Sequence, residues 1–328
     1  MKAITQDRYG SADVLYLKDL PTPVPRADEV LVDVRAASVN AADWHIMRGE
    51  PRLARLDFSM FGLRAPRQRV RGSDFAGVVR AVGAAVTSFQ PGDEVFGEGS
   101  GTFAEQAVAR EAATARKPAE VSFEAAAALP MAGTTAQLLL ARGGVRAGRS
   151  VLVNGASGGV GTFAIQLAAA KGADVTAVCS ARNADQARAL GAERVLDYAR
   201  EDFATGPASY DVVVDLVGNR SLGDLRRVLA PGGVLVLSGG GVAGEGRTVG
   251  PLGLMLRGRL TARRGGRRTE IPMARPDART LDELAALVAA GTIRPVIERT
   301  FDLTAAADAV RYLEQEHARS KVVLTTSR

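Results

Sequence analysis

Val151-Leu152-Val153-Asn154 is a short apolar run that leads straight into Gly155-Ala156-Ser157-Gly158-Gly159-Val160-Gly161, and a helical segment, Thr162 to Ala168, follows. Strand, glycine turn and helix in that order present free N–H groups at a helix start, which is the arrangement that holds a pyrophosphate. The spacing A-x-G-x-x-G runs from Ala156 to Gly161. Gly158 lets the backbone approach the phosphates, and Gly161 lets the helix pack closely on the sheet. Ser157, Gly158, Gly159, Val160 and Gly161 are therefore the candidate cradle of a dinucleotide.

The end of the next strand selects the dinucleotide. A site for NAD places Asp or Glu there, ~20 residues on, to bond the ribose hydroxyls. Here Val175-Thr176-Ala177-Val178-Cys179 ends in Ser180-Ala181-Arg182; Asp185 is the first acid beyond it, and Asp174 lies at the wrong end. Ser180 can bond a 2′-phosphate and Arg182 can pair with it, so NADPH is favoured over NADH. The alternative for Arg182 is the start of a surface helix. Cys179, on an apolar strand, reads as core rather than as a reactive thiol.

The elements around this turn divide the chain. Glu29–Ala37 alternates apolar and polar as a half-buried strand should, Phe75–Val82 does the same, and a turn at Gly92-Asp93 precedes a third run. Pro21, Pro23, Pro25, Pro51, Pro66 and Pro91 break up any long helix there, so this part reads as a mostly antiparallel β domain. Near Val121 the texture changes, and Ser122 is a candidate N-cap for an Ala-rich helix. Beyond Ser150, strands at 151–154, 175–179, 194–197, 211–216 and 234–237 alternate with helices at 160–171, 183–190 and 222–229, which predicts a parallel sheet covered on both faces. A helix at 280–290, a strand at 293–297, a helix at 305–316 and a strand at 321–325 complete the chain. The fold class is α/β with an appended β domain.

Composition narrows the function classes. The 328 residues are 46% hydrophobic and 24% charged, the proportions of a globular protein, and the length suits two domains. No apolar run approaches the ~20 residues that span a bilayer, and the N-terminus lacks the apolar stretch of a signal peptide, so a cytoplasmic location is expected. One cysteine excludes an internal disulfide, and with two histidines it excludes clustered Cys/His zinc ligands. Net charge is +6, but 37 of the 42 basic residues are Arg, a bias that a GC-rich genome produces as easily as function does. The six arginines between Arg257 and Arg268 could hold phosphate or nucleic acid, yet no aromatic residue is interleaved for stacking. A solvated face, or a subunit or cofactor-side edge, is the simpler reading.

Several further motifs then come together. They are Val39-Asn40-Ala41-Ala42-Asp43-Trp44, Gly72-Ser73-Asp74-Phe75-Ala76-Gly77, Gly92-Asp93-Glu94-Val95-Phe96-Gly97, Gly133-Thr134-Thr135-Ala136, the glycine turn, Asp197-Tyr198, Asp211 to Gly218, and Lys321-Val322-Val323-Leu324. With these the chain resembles, over nearly its whole length, the zinc-free quinone oxidoreductase-like branch of the medium-chain dehydrogenase/reductase superfamily. The resemblance implies a GroES-like β domain, residues 1–121 with 299–328, and a doubly wound Rossmann domain, residues 122–298, with the active site in the cleft between them. It also implies a homodimer paired through the Rossmann sheets. Zinc-containing relatives carry Cys where Asn40 stands and G-H-E where Gly72-Ser73-Asp74 stands; Asn and Ser do not replace thiolate and imidazole, so no metal is expected.

By the same resemblance, Asn40 lies near the nicotinamide and could offer its amide N–H₂ to the ribose or to a substrate carbonyl. Thr135 contacts the nicotinamide side, Ser157 to Gly161 hold the pyrophosphate, and Ser180, Arg182 and Tyr198 surround the 2′-phosphate. Val217, Gly218, Ser238, Gly239 and Gly240 line the nicotinamide ribose and ring, and Lys321 is either beside the cofactor or simply on the surface. Asp43 is either a proton shuttle or a helix cap, and His45 either touches substrate or is an ordinary partly exposed histidine. His317 lies in a distant helix. The branch carries a Tyr shortly after the N-x-x-D segment; this chain has His45 and Met47 there and no Tyr from Tyr16 to Tyr198, which leaves the proton donor open among solvent, His45 and the cofactor ribose. The arginine-rich, partly apolar stretch from Met47 to Arg71 is expected to form a substrate-facing lobe or lid. The function expected is NADPH-dependent hydride transfer to a quinone or an α,β-unsaturated carbonyl compound. A ketone or aldehyde reductase is the alternative among enzymes, and a cofactor-binding regulatory or RNA-interacting protein the alternative outside them.

Overall fold

The computed structural model describes residues 1–56, 61–205, 209–238, 258, 263–264, 266–315 and 319–326. Contacts divide the chain into two compact units, Met1–Thr134 with Arg275–Arg328, and Thr135–Ala274. In chain order the first stretch holds β1 (Lys2–Thr5), β2 (Tyr16–Asp19), β3 (Glu29–Val39), α1 (Ala41–Arg48), β4 (Asp74–Val82), β5 (Glu94–Glu98), β6 (Gln106–Arg110), β7 (Thr114–Arg116), α2 (Phe123–Ala127) and α3 (Pro130–Gly143). The second unit contains β8 (Ser150–Asn154), α4 (Gly159–Ala170), β9 (Asp174–Cys179), α5 (Ala184–Ala189), β10 (Arg194–Asp197), β11 (Tyr210–Asp215), α6 (Leu222–Arg227), β12 (Leu229–Leu237), β13 (Arg263–Arg264) and β14 (Arg267–Glu270). The chain then returns to the first unit with α7 (Ala278–Ala289), β15 (Ile297–Asp302), α8 (Ala306–Gln315) and β16 (Lys321–Thr325).

The first unit is built on a seven-stranded sheet in the order β15-β16-β3-β4-β5-β7, with β6 also paired to β3. β3 is flanked by β16, β4 and β6, all antiparallel to it, so nearly every residue from Val30 to Val39 is buried. The core comprises Val30, Val32, Val34, Trp44, Met47, Phe75, Val95, Phe103, Val310 and Val322 among others. Alternating strand directions bring four ends to one edge of this sheet. Val322 of β16 pairs with Val39 of β3, and Asp74, the first residue of β4, pairs with Glu98, the last of β5. Asn40, Asp74, Glu98 and Lys321 therefore share one end, although they are far apart in sequence.

In the second unit the order is β10-β9-β8-β11-β12-β14-β13, parallel from β10 to β14 with β13 antiparallel at the edge. The apolar runs Val151–Val153 and Val212–Val214 are buried because both faces of such a sheet are covered. Strand order reverses between β8 and β11, the switch point at which open α/β sheets bind ligands beyond their carboxyl ends.

The expected parallel sheet and antiparallel β domain are both present, and Ser122 does cap α2 by accepting from Ala125 N at 3.2 Å. Some expectations shift. The strand expected at 293–297 begins only at Ile297, because Pro295 has no N–H to give a ladder. The helix expected to run to Leu229 ends at Arg227, and Leu229 already belongs to β12. The contacts group residues 122–134 and 275–298 with the first unit, where the sequence division had put them in the second; α2 packs on β3 and β4, and α7 on β7. Gly239, Gly240 and His317 lie outside the described residues, as does much of the Arg257–Arg268 cluster. Within that cluster, Arg267 donates to Leu229 O, and Arg268 pairs with Glu270 at 3.1 Å.

Candidate active site

In the first unit a buried ionic network occupies the sheet end where β3, β4, β5 and β16 meet. Lys321, 2% exposed, donates from Nζ to Asn40 Oδ1 at 2.6 Å and lies 3.7 Å from Asp74 Oδ2. Asp74 has no exposed surface; it accepts from Ser38 Oγ and Asn40 Nδ2, both at 3.0 Å, and from Met131 N, in the first turn of α3, at 3.2 Å. Asn40 Nδ2 also donates to Ser38 O at 3.3 Å. Both amide hydrogens and the amide oxygen of Asn40 are thus committed within the protein. The reverse flip would set N–H₂ against an ammonium, so Lys321 fixes the orientation. The expected offer of this amide to a ribose or a substrate carbonyl has no free hydrogen in this arrangement, and Asn40 positions Lys321 and Asp74 instead.

Asp43 sits at the third position of α1 and accepts from Asn40 N at 2.8 Å, the helix-cap alternative for this residue. At 3% exposure its carboxyl is pushed up to about 7, chiefly by burial, with the Asn40 N–H pulling the other way. Arg71 is buried nearby and helps to hold Asp43, its own guanidinium pushed below the usual range by burial. Burial also raises Asp74, opposed by Lys321 and the three donors, and lowers Lys321, opposed by Asp74 and Asp43. Glu98 is pushed up to about 8 by burial and then by the neighbouring Asp74 carboxylate.

His45 stacks on Trp44 with centroids 3.7 Å apart, and its Nδ1 lies 3.1 Å from Glu50 O. A carbonyl can only accept, so Nδ1 carries the hydrogen and Nε2 is left as an acceptor. Burial lowers the imidazole's pKa, which keeps it neutral. This residue is a poor proton donor, contrary to one of the sequence-based options.

The second unit presents the nucleotide half. Gly155 adopts φ +87°, and a Cβ there would lie 2.8 Å from Val217 Cγ2. A Cβ on Gly161 would come within 2.2 Å of Gly155 O, so the close packing expected of this glycine is real. At Gly158 the nearest atom to a Cβ would be Gly155 O at 3.5 Å. Nothing in the fold itself requires glycine there. Gly158 is the N-cap of α4, so the N–H groups of Gly159, Val160 and Gly161 are in the first turn, where the helix offers no acceptor. Ser157 precedes them in the same turn.

Beyond β9, Ser180 accepts from Asn183 Nδ2 at 3.1 Å, Arg182 is exposed, and Tyr198, 52% exposed, is joined to this strand end by its N–H to Cys179 O at 3.3 Å. The structure brings these residues together at the carboxyl ends of β9 and β10. Asp197 shares that end but is engaged by Ala199 N at 3.1 Å and Arg200. At the switch point, Asn154 Nδ2 donates to Asp215 Oδ1 at 2.8 Å, and the same oxygen accepts from Val217 N and Gly218 N, which fixes that loop; Ser238 N bonds Asp215 O at 3.0 Å. Thr135 is half-buried in α3. Residues fit for a phosphorylated dinucleotide are therefore present on their own geometry.

The model of the Alcohol dehydrogenase GroES-like domain matches residues 26–142, and that of the Zinc-binding dehydrogenase family matches residues 190–324. The chain is 33% identical to the NADPH-dependent alkenal/one oxidoreductase, chloroplastic, of Arabidopsis thaliana, over 99% of this chain and 79% of that protein. The chain belongs to the quinone oxidoreductase-like branch of the medium-chain dehydrogenase/reductase superfamily. Among solved structures of the branch, the quinone oxidoreductase from Coxiella burnetii superposes with a TM-score of 0.86 at 32% identity, covering 100% of this chain and 99% of that one. The Escherichia coli quinone oxidoreductase complexed with NADPH gives 0.83 at 26% identity, covering 99% and 100%. The GroES-like and Rossmann architectures expected of this family are the two units described above. Among the described residues no helix is long and apolar enough to cross a membrane.

Sequence reasoning missed the participation of Ser38, Arg71 and Glu98. Ser38 and Arg71 carry no motif of their own. Glu98 ends a strand beyond the G-D-x-V-x-G landmark, and only the pairing of β4 with β5 reveals its partner Asp74.

Proposed function

We propose that this protein is an NADPH-dependent oxidoreductase that reduces a quinone or an α,β-unsaturated carbonyl compound without zinc. The observation that carries the reading is the vacant side of Gly158 at the start of α4, combined with Ser180, Arg182 and Tyr198 at the end of β9 and β10. First-turn N–H groups hold the pyrophosphate, and the serine and arginine select the 2′-phosphate that a terminal carboxylate would repel. NADPH, when bound, supplies the hydride. Val217 and Gly218, held on Asp215, give the nicotinamide end a fixed backbone rim.

Zinc-independence follows from donor chemistry. Asn40 and Ser73 stand where zinc-containing relatives carry Cys and His, and the Lys321 ammonium already supplies a cation to Asn40 and Asp74. A carboxamide and a hydroxyl are weak substitutes for thiolate and imidazole. The homodimer and the contact of Thr135 with the cofactor remain part of this proposal on the strength of the family alone.

The test is a panel of quinones, enones and enoyl thioesters assayed with NADPH and with NADH, before and after dialysis against a chelator. NADPH oxidation unaffected by chelation is expected with quinones or enones. Activity restored only by added divalent metal, or confined to simple ketones and aldehydes, would reject it.

A further inference from the structure

We infer that Asn183 sets the preference for the phosphorylated nucleotide by fixing the direction of the Ser180 hydroxyl, an inference that rests on the NADPH reading above. Asn183 is 3% exposed and stands at the N-cap position of α5, where an asparagine side chain ordinarily accepts from an N–H of the first turn. Here the side chain makes no such bond. It turns back instead: Nδ2 donates to Ser180 Oγ at 3.1 Å, and the backbone N–H of the same asparagine donates to Ser180 O at 2.9 Å. Side chain and backbone are thus both anchored on the residue that follows β9. Asn183 Oδ1 is enclosed with no hydrogen-bond partner among the described residues. The asparagine therefore forgoes a helix cap and leaves a carbonyl unpaired, and its amide is committed to one half-buried serine.

The polarity of that bond decides what Ser180 can offer. A hydroxyl has a single hydrogen and can accept as well. With Oγ accepting from Asn183, the hydrogen points away from the amide, and no acceptor takes it among the described residues. The carboxylates that could compete for it are engaged. Asp185, next along the chain, pairs with Arg188 at 3.0 Å; Asp197, at the end of the neighbouring β10, accepts from Ala199 N at 3.1 Å and faces Arg200. The reverse amide orientation would enclose an unpaired N–H₂ group in place of an unpaired carbonyl, the rarer state in folded proteins.

The two nucleotides respond differently to this polarity. A 2′-phosphate presents acceptor oxygens at neutral pH and is bonded only by a donor. A ribose 2′-hydroxyl both donates and accepts, so it can meet Ser180 in either orientation. Asn183 consequently bears on NADPH and hardly on NADH, and it does so through Ser180, as a positioning residue.

The test is a double-mutant cycle, read as the ratio of NADPH to NADH dissociation constants from fluorescence titration. Ser180→Ala should weaken NADPH binding about 10-fold, the loss of one hydrogen bond to a charged group. Asn183→Leu, which keeps the volume and removes the donor, should weaken it about 3–10-fold and leave NADH within about two-fold. In the Ser180→Ala background the same change should add nothing, because the group it orients is gone. Asn183→Asp, whose carboxylate draws the Ser180 hydrogen inward, should weaken NADPH at least as much as Ser180→Ala does. Equal losses for both nucleotides in Asn183→Leu, or a loss that adds in full to that of Ser180→Ala, marks a merely structural role and overturns the inference. If Asn183→Leu does not fold, the isosteric Asn183→Asp decides, and an unchanged ratio there overturns it too. A natural protein that binds both nucleotides equally rejects the NADPH reading and this assignment with it. A natural preference for NADPH that survives intact in Asn183→Leu rejects this assignment alone.

Discussion

Lys321 and Asn40 meet through a 2.6 Å hydrogen bond although 281 positions separate them in the chain. The contact exists because β16 returns antiparallel to β3, with Val322 opposite Val39. It ties the last strand to the start of α1, and it leaves one buried ammonium serving a buried carboxamide and a carboxylate with no exposed surface.

Lys321→Met should therefore destabilise the fold by about 3–5 kcal/mol, the usual effect of removing one partner from a buried ion pair. Asp74 would keep its three donors but lose its countercharge. The double variant Lys321→Met/Asp74→Asn should recover part of the loss, since it removes the stranded charge. Urea unfolding near pH 7 measures both, and a single variant as stable as the natural protein would mean that the pair contributes nothing.

The acid cluster also gives stability a pH dependence. In the folded protein the Asp43 carboxyl is raised from 3.8 to about 7. A group raised on folding favours the fold while it is protonated in both states. Its contribution is thus complete below 3.8 and is lost as pH rises through about 7. His45, lowered on folding, acts in the opposite direction, with stability present above its ordinary 6.5 and lost as pH falls through its folded value. Comparing the natural protein with Asp43→Asn cancels the histidine. The stability difference should move against the natural protein as pH rises from about 4 to about 7 and then level off; a difference independent of pH would mean that Asp43 titrates normally.

What the sequence made legible was local. The run into Gly155, the spacing to Gly161, the Ser122 cap and the missing acid at the end of β9 each depend on residues adjacent in the chain, where turn and capping rules operate. The network around Asp74 depends instead on which strands pair and in what register. A one-residue slip of β5 would turn Glu98 to the other face of the sheet. Asn40 shows the same limit: its position near a functional segment was readable, but the use of both its amide hydrogens depends on Ser38 and Asp74. Pro295, by contrast, was a readable signal against a strand at 293–297, outweighed by the β-branched residues around it.

Cofactor choice provides a third prediction. Arg182 is exposed at the start of the turn after β9, beside Ser180 and Asn183. Arg182→Asp should weaken NADPH binding by on the order of 10–100-fold, the worth of a charge-assisted hydrogen bond of about 1.5–3 kcal/mol, while NADH affinity changes little. Fluorescence titration of each reduced nucleotide measures this, and equal losses for the two would remove Arg182 from the phosphate site.

Two glycines of one turn should fail in different ways. A Cβ at Gly161 would lie 2.2 Å from Gly155 O and 2.7 Å from the Ala156 carbonyl, both backbone atoms that cannot rotate away. Gly161→Ala should thus damage the fold itself, by about 1–3 kcal/mol as overpacking typically does. A Cβ at Gly158 meets nothing nearer than 3.5 Å, so Gly158→Ala should melt close to the natural temperature. Its effect should emerge only when the pyrophosphate must approach the same space, as a loss of NADPH affinity of at least several-fold. Melting curves and nucleotide titrations on the pair separate the two roles. Undiminished affinity in the Gly158 variant would show that the dinucleotide does not lie against this turn, whatever happens at Gly161.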